Sequence, residues 1–367
     1  PFDGTMNPGA GEDRWGGPAA ANLKWETTNQ FNLGLDAAFF NNRVNLVVDL
    51  YYKKTTDLLQ YRYIDMSSGF NQIACNYGNV TNKGLEITAH VIPVKTRDWM
   101  WTLDANISFN RNKIGGLNAD QFSDVAWGIE SMFLRRNGHP IGTLYGYVED
   151  GFYDNEAEVR ADPYYRDATP SKVKSMVGQV KYKNLDDDPV IDDRDKTIIG
   201  DTNPDYQYGI TSTLNWKKWT FSFFLQGTQG NDILNVNLKQ FDVAVGSGNM
   251  PYFVFNNRWT PENRAAAKWP RADGTFTRAM KASDRYIVDG SYLRCKNISL
   301  SYNWAHPVKF VESINIVASI TNLFTISGYE WYDPDVNAFG SDPTRRGVDM
   351  SSYPSARTFN LGIQLAF

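Results

Sequence analysis

An acidic segment, NLDDDPVIDDRD at residues 184–195, has the residue types and the spacing to bind a metal ion. Calcium takes roughly six to eight oxygen ligands, and a calcium-binding loop supplies them from positions 1, 3, 5, 7, 9 and 12. Here those positions hold Asn184, Asp186, Asp188, Val190, Asp192 and Asp195, with Val190 contributing its carbonyl oxygen. The spacing therefore predicts a structural Ca²⁺ site.

Other features of the same segment favour a solvated acidic loop. Pro189 stands at position 6, where the turn of a calcium loop needs the positive φ of glycine, and proline fixes φ near about −65°. Asn184 and Asp195 also coordinate more weakly than the Asp and bidentate Glu that usually begin and end such a loop. Both interpretations stay open at this point.

Catalytic motifs are absent from the sequence. The three histidines, His90, His139 and His306, are far apart, and no HExxH, P-loop or GxSxG motif is present. The two cysteines, Cys75 and Cys295, match no metal spacing and are expected to be unpaired thiols. The sequence predicts no enzyme, and no cofactor apart from the calcium ion considered above.

Composition narrows the classes of ligand. A net charge of −4 argues against nucleic acid, because phosphate binding needs concentrated basic charge. Aromatic residues are 14% of the chain, and rings exposed between strands can stack on sugars or contact a partner. The alternative is that each ring packs its own loop. The candidates for ligand or partner contact are Trp127, Tyr164, Tyr165, Tyr252, Trp259, Trp269, Trp331 and Tyr332.

Nine segments alternate between apolar and polar residues, which predicts strands with two different faces. They lie near residues 28–41, 43–54, 80–92, 98–112, 205–216, 218–229, 291–304, 313–323 and 357–367. The apolar face includes Leu33, Val48, Ile316 and Leu361. The opposite face carries Asn32, Asp36, Asn45, Asp49, Lys53, Glu86, Thr88, His90, Thr102, Asp104, Asn106 and Ser108.

The connections between these strands alternate strictly between short and long. The long ones lie around residues 55–79, 113–204, 230–290 and 324–355, and the short ones read NNR, PVKTR, KK and AHPVKFVE. Trp and Phe cluster beside the short connections, and Tyr is commoner beside the long ones. No apolar run approaches the ~18 residues of a spanning helix. This pattern predicts a transmembrane antiparallel β-barrel with short periplasmic turns, long extracellular loops and two aromatic girdles.

A soluble sandwich or a secreted carbohydrate-binding or adhesive β-module would also alternate, but its packing gives no reason to sort tryptophan by strand end. Nine antiparallel strands cannot close a barrel, because an odd count makes the first and last strands parallel. We therefore expect residues 1–27 to be an extracellular loop and residues 28–367 to be the C-terminal portion of an incomplete barrel. The remaining strands must come from preceding sequence or from other chains.

Motifs along nearly the whole chain resemble the SusC/RagA family of TonB-dependent outer-membrane transporters. In order, they read LKWETTNQFNLGLD, VDLYYKKTTDLL, YGNVTNKGLEI, IGTLYGYVEDGFY, IIGDTNPDYQYGITSTL, QGTQGNDI, DGSYLRCKNISLSYN, TNLFTISGYEWYDPDVN and YPSARTFNLGIQLAF. Each motif is weak alone, but their number and order make the resemblance specific. Pro189 in the acidic segment and Cys295 in YLRCKNISL depart from the family pattern.

The resemblance implies a barrel of roughly 22 strands with a plugged lumen in the outer membrane of a Gram-negative bacterium. It places the plug and the TonB-engaging segment upstream of this chain. It also implies a SusD-like surface lipoprotein as a lid, oligosaccharide or peptide as cargo, and contact with outer-membrane lipid. Phe367 resembles the signal that the barrel-assembly machinery reads. The alternative within transport is a siderophore or vitamin receptor.

Overall fold

The computed structural model describes residues 23–63, 65, 67, 69–70, 72–125, 131–186, 188–239, 250–272 and 281–367. Most of these residues lie in strands, with short helices in the long connections. No helix in these ranges is long and apolar enough to cross a membrane.

The strands fall into two classes by length. The long strands are β1 (Thr27–Phe39), β2 (Val44–Thr56), β5 (Asn79–Lys95), β6 (Trp99–Gly115), β13 (Tyr206–Trp216), β14 (Trp219–Gln229), β17 (Tyr292–Val308), β18 (Val311–Ser327) and β20 (Thr358–Ala366). The short strands are β3 (Leu59–Tyr63), β4 (Gln72–Asn76), β7 (Gln121–Ser123), β8 (Phe133–Arg135), β9 (Thr143–Gly146), β10 (Glu149–Phe152), β11 (Val180–Tyr182), β12 (Thr197–Asp201), β15 (Asp232–Asn235), β16 (Ile287–Asp289) and β19 (Val348–Asp349). The α-helices of the described ranges are α1 (Glu156–Ala161), α2 (Pro170–Met176) and α3 (Tyr252–Asn257).

One compact unit comprises the described residues between 23 and 121, together with 135–141 and 206–222. Within it, β1, β2, β5, β6 and β13 are hydrogen-bonded neighbours in that order, and each pairing is antiparallel. The hairpin of β3 and β4 lies in the connection between β2 and β5.

The second unit comprises the described residues within 122–134, 142–205 and 223–367. Within it, β14 from Phe223 onwards, β17, β18 and β20 are neighbours in that order, and β18 pairs antiparallel with both β17 and β20. Its connections form smaller sheets, with strand orders β12-β9-β8-β7, β10-β11 and β16-β15-β19.

The apolar face of the long strands is not covered by a second layer of protein. On β1, Leu33 and Leu35 are 58% and 62% exposed, and on β20 Leu361 is 77% exposed. Ile316, on β18 between two neighbouring strands, still exposes 37% of its surface. A soluble sandwich would bury these side chains between its sheets.

The opposite face of the strands is polar and makes cross-strand hydrogen bonds. His90 Nδ1 and Asp104 Oδ1 lie 2.6 Å apart on directly paired residues of β5 and β6. On the same face, Tyr51 Oη donates to Asn110 Oδ1 at 2.9 Å. The two faces therefore differ in chemistry as the alternation predicts.

Aromatic side chains mark the ends of the long strands. Trp99 and Trp216 are paired residues beside the short connections, and their rings stack with centroids 5.4 Å apart. At the other end, Phe109 and Tyr206 lie 5.7 Å apart. Amphipathic rings favour the headgroup level of a bilayer, so these pairs fit the two predicted girdles.

The buried core lies in the connections. Its largest cluster joins Val125, Met132, Phe133, Leu144, Leu234, Val236, Ala282, Tyr286 and Val348. A smaller cluster of Tyr153, Val159 and Val173 lies between α1 and α2. The long connections are thus folded structures, which the sequence analysis did not predict.

All nine predicted long strands are confirmed, with their ends shifted by a few residues. Several extend further towards the short connections than expected. The segment AHPVKFVE, predicted as a link, is mostly strand, because β17 ends at Val308 and β18 begins at Val311. The predicted loop 1–27 lies mostly outside the described residues, and β1 begins at Thr27.

Gly84 is required where Tyr51 crosses from β2 to β6. A Cβ at this position would meet Tyr51 Oη at 2.5 Å and would also meet the backbone oxygen of Phe109. We expect Gly84→Ala to displace the Tyr51 ring, break its hydrogen bond to Asn110 and lower the free energy of unfolding by about 1–3 kcal/mol.

Gly362→Ala is the matched control, because a Cβ there has nothing within 4 Å. The midpoints of thermal unfolding in detergent should fall for Gly84→Ala and stay unchanged for Gly362→Ala. Equal midpoints for the two variants would contradict this account of Gly84.

Candidate functional site

A cleft of about 500 Å³ opens among the long connections of the second unit. Ligand pockets of roughly this size are typically apolar with a few placed polar groups. This cleft has aromatic, amide and charged walls, formed by Glu149, Asn235, Leu238, Phe253, Asn257, Lys268, Trp269, Arg285, Val288, Gly328, Tyr329, Glu330 and Trp331.

A bidentate ion pair forms one wall of the cleft. Arg285 Nε lies 2.5 Å from Glu149 Oε1, and Arg285 Nη2 lies 2.8 Å from Glu149 Oε2. The Arg285 side chain is only 8% exposed, and its Nη1 also donates to the Lys268 carbonyl oxygen at 3.0 Å. The pair therefore fixes the chain segment that carries Lys268 and Trp269.

Two aromatic pairs face the cleft or border it. Trp269 meets Phe253 edge to face with centroids 6.1 Å apart, and Trp331 meets Tyr332 in the same way at 5.3 Å. The backbone of Trp269 is held by Asn257, whose carbonyl oxygen accepts its N–H at 3.1 Å. The rings are thus positioned before any ligand binds.

Behind the cleft, Tyr329 belongs to a buried polar network. Its hydroxyl donates to Asp349 Oδ2 at 2.5 Å, and the other Asp349 oxygen accepts the Ser352 N–H at 3.0 Å. Burial, and then the hydrogen bond to the Asp349 carboxylate, raise the pKa of Tyr329. Tyr329 therefore remains a protonated donor and a rigid part of the wall.

The cleft combines two of the predicted aromatic candidates, Trp269 and Trp331, and Tyr332 contacts Trp331 at its border. Tyr164 and Tyr165 lie elsewhere, after α1, with Tyr164 53% exposed and Tyr165 packed against Tyr153. Tyr252 is 79% exposed at the start of α3. Trp127 lies outside the described residues. Their roles in ligand or partner contact stay predictions.

Trp259 follows the alternative interpretation, in which the ring packs within its own part of the folded connections. It is 4% exposed, its Nε1 donates to Asp154 Oδ1 at 3.0 Å, and its ring packs against Gly178. The residue type did not distinguish these outcomes, because tryptophan is suited both to an exposed contact and to the interior of a folded connection.

Arg285 and Glu149 were missed by the sequence analysis. They are 136 residues apart, and each is an ordinary charged residue in its local sequence. The only signal was indirect: Glu149 lies within IGTLYGYVEDGFY, one of the motifs that carry the family resemblance.

In the acidic segment, Arg194 lies among the predicted calcium ligands. It pairs with Asp188, with Asp192 Oδ2 at 3.0 Å and with Asp186 Oδ2 at 3.3 Å. The buried Asp195 accepts backbone N–H groups from Leu185 at 2.7 Å and Asp192 at 2.8 Å. Among the described residues, no three His, Cys, Asp or Glu side chains are grouped as metal ligands. The geometry favours a loop neutralised by arginine, and calcium stays a prediction.

Limited proteolysis separates the two interpretations. We expect Arg194→Gln to accelerate cleavage of residues 184–195 by proteinase K severalfold, because Asp186, Asp188 and Asp192 would then repel one another. EGTA should leave the cleavage rate of the unaltered protein unchanged. Faster cleavage in EGTA, reversed by added calcium, would instead support the metal site.

A buried cluster around an ion pair joins three of the motifs that carry the family resemblance. Arg294 of β17 is 1% exposed and pairs with Asp333, which is 6% exposed. Arg294 Nη1 also donates to Ser355 Oγ at 3.1 Å, and the Ser355 N–H donates to Asp333 Oδ2 at 3.1 Å. This cluster ties the connection 328–357 to β17 just before β20 begins.

Comparison with known proteins identifies the family. The model of the family described as "TonB dependent receptor-like, beta-barrel" matches residues 3–323. TonB-dependent receptor P26 of Formosa agariphila is 32% identical over 366 residues, which are 96% of this chain and 36% of that protein. TonB-dependent receptor SusC of Bacteroides thetaiotaomicron is 31% identical over 352 residues, 94% of this chain and 32% of that protein. The chain spans about a third of the length of the curated relatives it matches.

Solved structures show the same fold. The RagAB peptide transporter aligns with a TM-score of 0.74 at 21% identity, covering 96% of this chain and 36% of the matched chain. The RagAB peptide importer in its open-open state aligns with a TM-score of 0.72 at 22% identity, covering 94% and 35%. These matches confirm the transmembrane β-barrel and the predicted resemblance. The chain belongs to the TonB-dependent receptor β-barrel family of the outer membrane, and within it to the SusC/RagA-like proteins.

Proposed function

We propose that the chain is part of a SusC-like transporter that imports oligosaccharides or peptides through the outer membrane, with energy supplied through TonB. The observation that carries the proposal is the two-faced set of long strands. Their apolar side exposes Leu33, Leu361 and Ile316, whereas the opposite side carries groups such as His90 and Asp104. A wall of this kind separates lipid from a hydrated lumen.

The folded connections supply a place where cargo could be recognised. Trp269 and Trp331 offer rings for stacking, and Asn235 and Asn257 offer amide groups in the same cleft. Rings and amide groups of this kind are suited to binding a cargo. Family membership agrees with a receptor that is not an enzyme.

We further propose that a SusD-like surface lipoprotein acts with this protein and that a plug lies within the complete barrel. The proposal is supported by the likeness to SusC and to the RagAB peptide transporter. The siderophore or vitamin receptor remains the alternative within transport, although no described residue specifically favours it. Family membership is incompatible with a secreted carbohydrate-binding or adhesive module.

Uptake by intact cells tests the proposal. A strain that lacks the gene should lose uptake of one labelled oligosaccharide or peptide class, and the restored gene should recover it. A protonophore should abolish that uptake, because the proposed energy source is the proton gradient of the inner membrane. Unchanged uptake of every oligosaccharide and peptide, together with lost uptake of a metal chelate or vitamin, would favour the alternative receptor.

A further inference from the structure

A basic and aromatic surface lies beside the cleft, on two segments of the second unit. Residues 170–176 and 250–272 contain six cations, and Glu262 is their only carboxylate. We call this set the basic–aromatic surface; its cations are Lys172, Lys174, Arg258, Arg264, Lys268 and Arg271. The concentration of positive charge contrasts with the net charge of −4 of the whole chain.

Backbone contacts hold the two segments together. Arg271 Nη2 donates to the Ser175 carbonyl oxygen at 3.1 Å, and the Arg271 N–H donates to the Gly178 carbonyl oxygen at 2.7 Å. Within the second segment, the Lys268 N–H donates to the Asn257 carbonyl oxygen at 2.8 Å. The cations are therefore carried on one connected piece of folded chain.

The arginines are positioned without being neutralised. Arg258 donates to the Phe255 carbonyl oxygen, and Arg264 Nε donates to the Pro261 carbonyl oxygen at 3.1 Å. Neither these two nor Arg271 forms an ion pair with any residue in the described ranges. A guanidinium has five N–H donors in a planar fork, so donors remain for a carboxylate or a sulfate.

Exposed rings accompany these cations. Tyr252, Phe253 and Phe255 of α3 are 79%, 45% and 50% exposed, although Val254 between them is buried. Arg258 lies over the Phe255 ring at 3.8 Å, and Phe253 meets Trp269 at the cleft wall. Partly exposed rings beside guanidinium groups combine stacking with anion binding.

We propose that the basic–aromatic surface binds anionic oligosaccharides, in which sugar rings stack on the aromatic side chains and carboxylate or sulfate groups meet the arginines and lysines. This inference rests on the proposed import function and narrows its cargo to one class. An acidic peptide has the charge but fits less well, because an extended peptide gains affinity by pairing with a strand edge and α3 is helical.

Binding to the full-length protein in detergent tests the inference with four probes of similar length. The probes are hexagalacturonate, a κ-carrageenan hexasaccharide, maltohexaose and hexaglutamate, so that carboxylate and sulfate sugars, a neutral sugar and an acidic peptide are compared. At least one anionic sugar should bind about tenfold or more tighter than maltohexaose, and binding should weaken between about 50 and 500 mM NaCl.

Charge reversal at the exposed side chains of Arg264 and Lys268 provides the matched variant. We expect Arg264→Glu/Lys268→Glu to weaken binding of the anionic sugar by about tenfold or more. The control Lys218→Glu/Lys309→Glu makes the same charge change at exposed residues in the short connections and should leave binding unchanged. Tyr252→Ala should also weaken binding, because it removes a ring that is 79% exposed.

Equal affinities for maltohexaose and both anionic sugars, or equal losses in the two double variants, would overturn the inference. Tighter binding of hexaglutamate than of either anionic sugar would assign the surface to acidic peptides instead. If the inference fails in either way, energised uptake of a neutral oligosaccharide by the unaltered protein would still leave the transport proposal standing. Loss of all oligosaccharide and peptide uptake from the unaltered protein would count against the transport proposal itself.

Discussion

Arg294→Met should lower the free energy of unfolding by about 3–5 kcal/mol, because it leaves the Asp333 carboxylate buried without its cation. Asp333 is 6% exposed, and its remaining hydrogen-bond donors are the N–H groups of Asp335 and Ser355 and the Ser355 hydroxyl. Those hydrogen bonds cannot replace the charge of a guanidinium. Thermal or urea unfolding of the protein in detergent, followed by tryptophan fluorescence, measures the loss.

Two further variants control this result. Arg345→Met removes an ion pair in which Arg345 Nη2 lies 2.8 Å from Asp342 Oδ2 and the two side chains are 34% and 29% exposed. Its loss should lower the free energy of unfolding by less than about 1 kcal/mol. Arg294→Met/Asp333→Asn removes both charges and should recover much of the lost stability. A loss for Arg294→Met as small as that for Arg345→Met would contradict the role given to the buried pair.

The Arg294–Asp333 pair also predicts that the free energy of unfolding depends on pH. Burial alone would raise the pKa of Asp333, but hydrogen bonds from Asp335, Ser355 and Arg294 outweigh burial and lower the pKa. The ionised carboxylate therefore stabilises the fold above the ordinary pKa of an aspartate, and this contribution is lost as the pH falls through the lowered value. The stability difference between the unaltered protein and Arg294→Met/Asp333→Asn should narrow in acid.

Ile316→Arg should lower the free energy of unfolding by up to about 2–4 kcal/mol, the cost of a cation on the lipid face near the middle of a bilayer. Ile316 pairs with Tyr302 and Ile363, so its neighbours on both adjacent strands belong to the apolar face. Leu361→Arg on β20 tests the same face at a second position.

Asn315→Arg and Asn360→Arg are the matched controls, because each changes the adjacent residue on the opposite face. Asn315 pairs with Asn303 and Gln364, and its Nδ2 donates to Gln364 Oε1 at 3.3 Å. A cation there remains hydrated and should cost much less. Unfolding in lipid vesicles gives the comparison, and equal costs on the two faces would refute the assigned orientation of the strands.

The long strands could be predicted from sequence because each carries its own signal. The alternation along β18 indicates that the strand face carrying Ile316 is the lipid-facing one. The strands that pair with β18 are β17, which precedes it directly, and β20, the next long strand. The short connections then leave little choice of neighbour. Strand ends were less well predicted, since pairing continues in β17 past His306 and Pro307, where polar and turn-forming residues suggested a link.

The folded connections could not be predicted because their stability depends on contacts between distant residues. Leu234 packs in the core with Val125 and Val348, but no local period joins these positions. The candidate cleft has the same origin, since Arg285 pairs with Glu149 from a distant part of the chain. In the acidic segment, Arg194 lies within the sequence of the predicted calcium loop, but not at a ligand position. The calcium spacing therefore gave no indication that Arg194 pairs with the carboxylates.

The β16-β15-β19 sheet has a consequence for the order of assembly. Its central strand β15 pairs in parallel with β19, which lies beyond β17 and β18 in the chain. β15 therefore lacks one of its two neighbouring strands until β19 has crossed the membrane. In the chain, β19 follows the hairpin of β17 and β18. Surface proteases should consequently cut residues 231–235 in molecules stalled during insertion and spare them in mature ones.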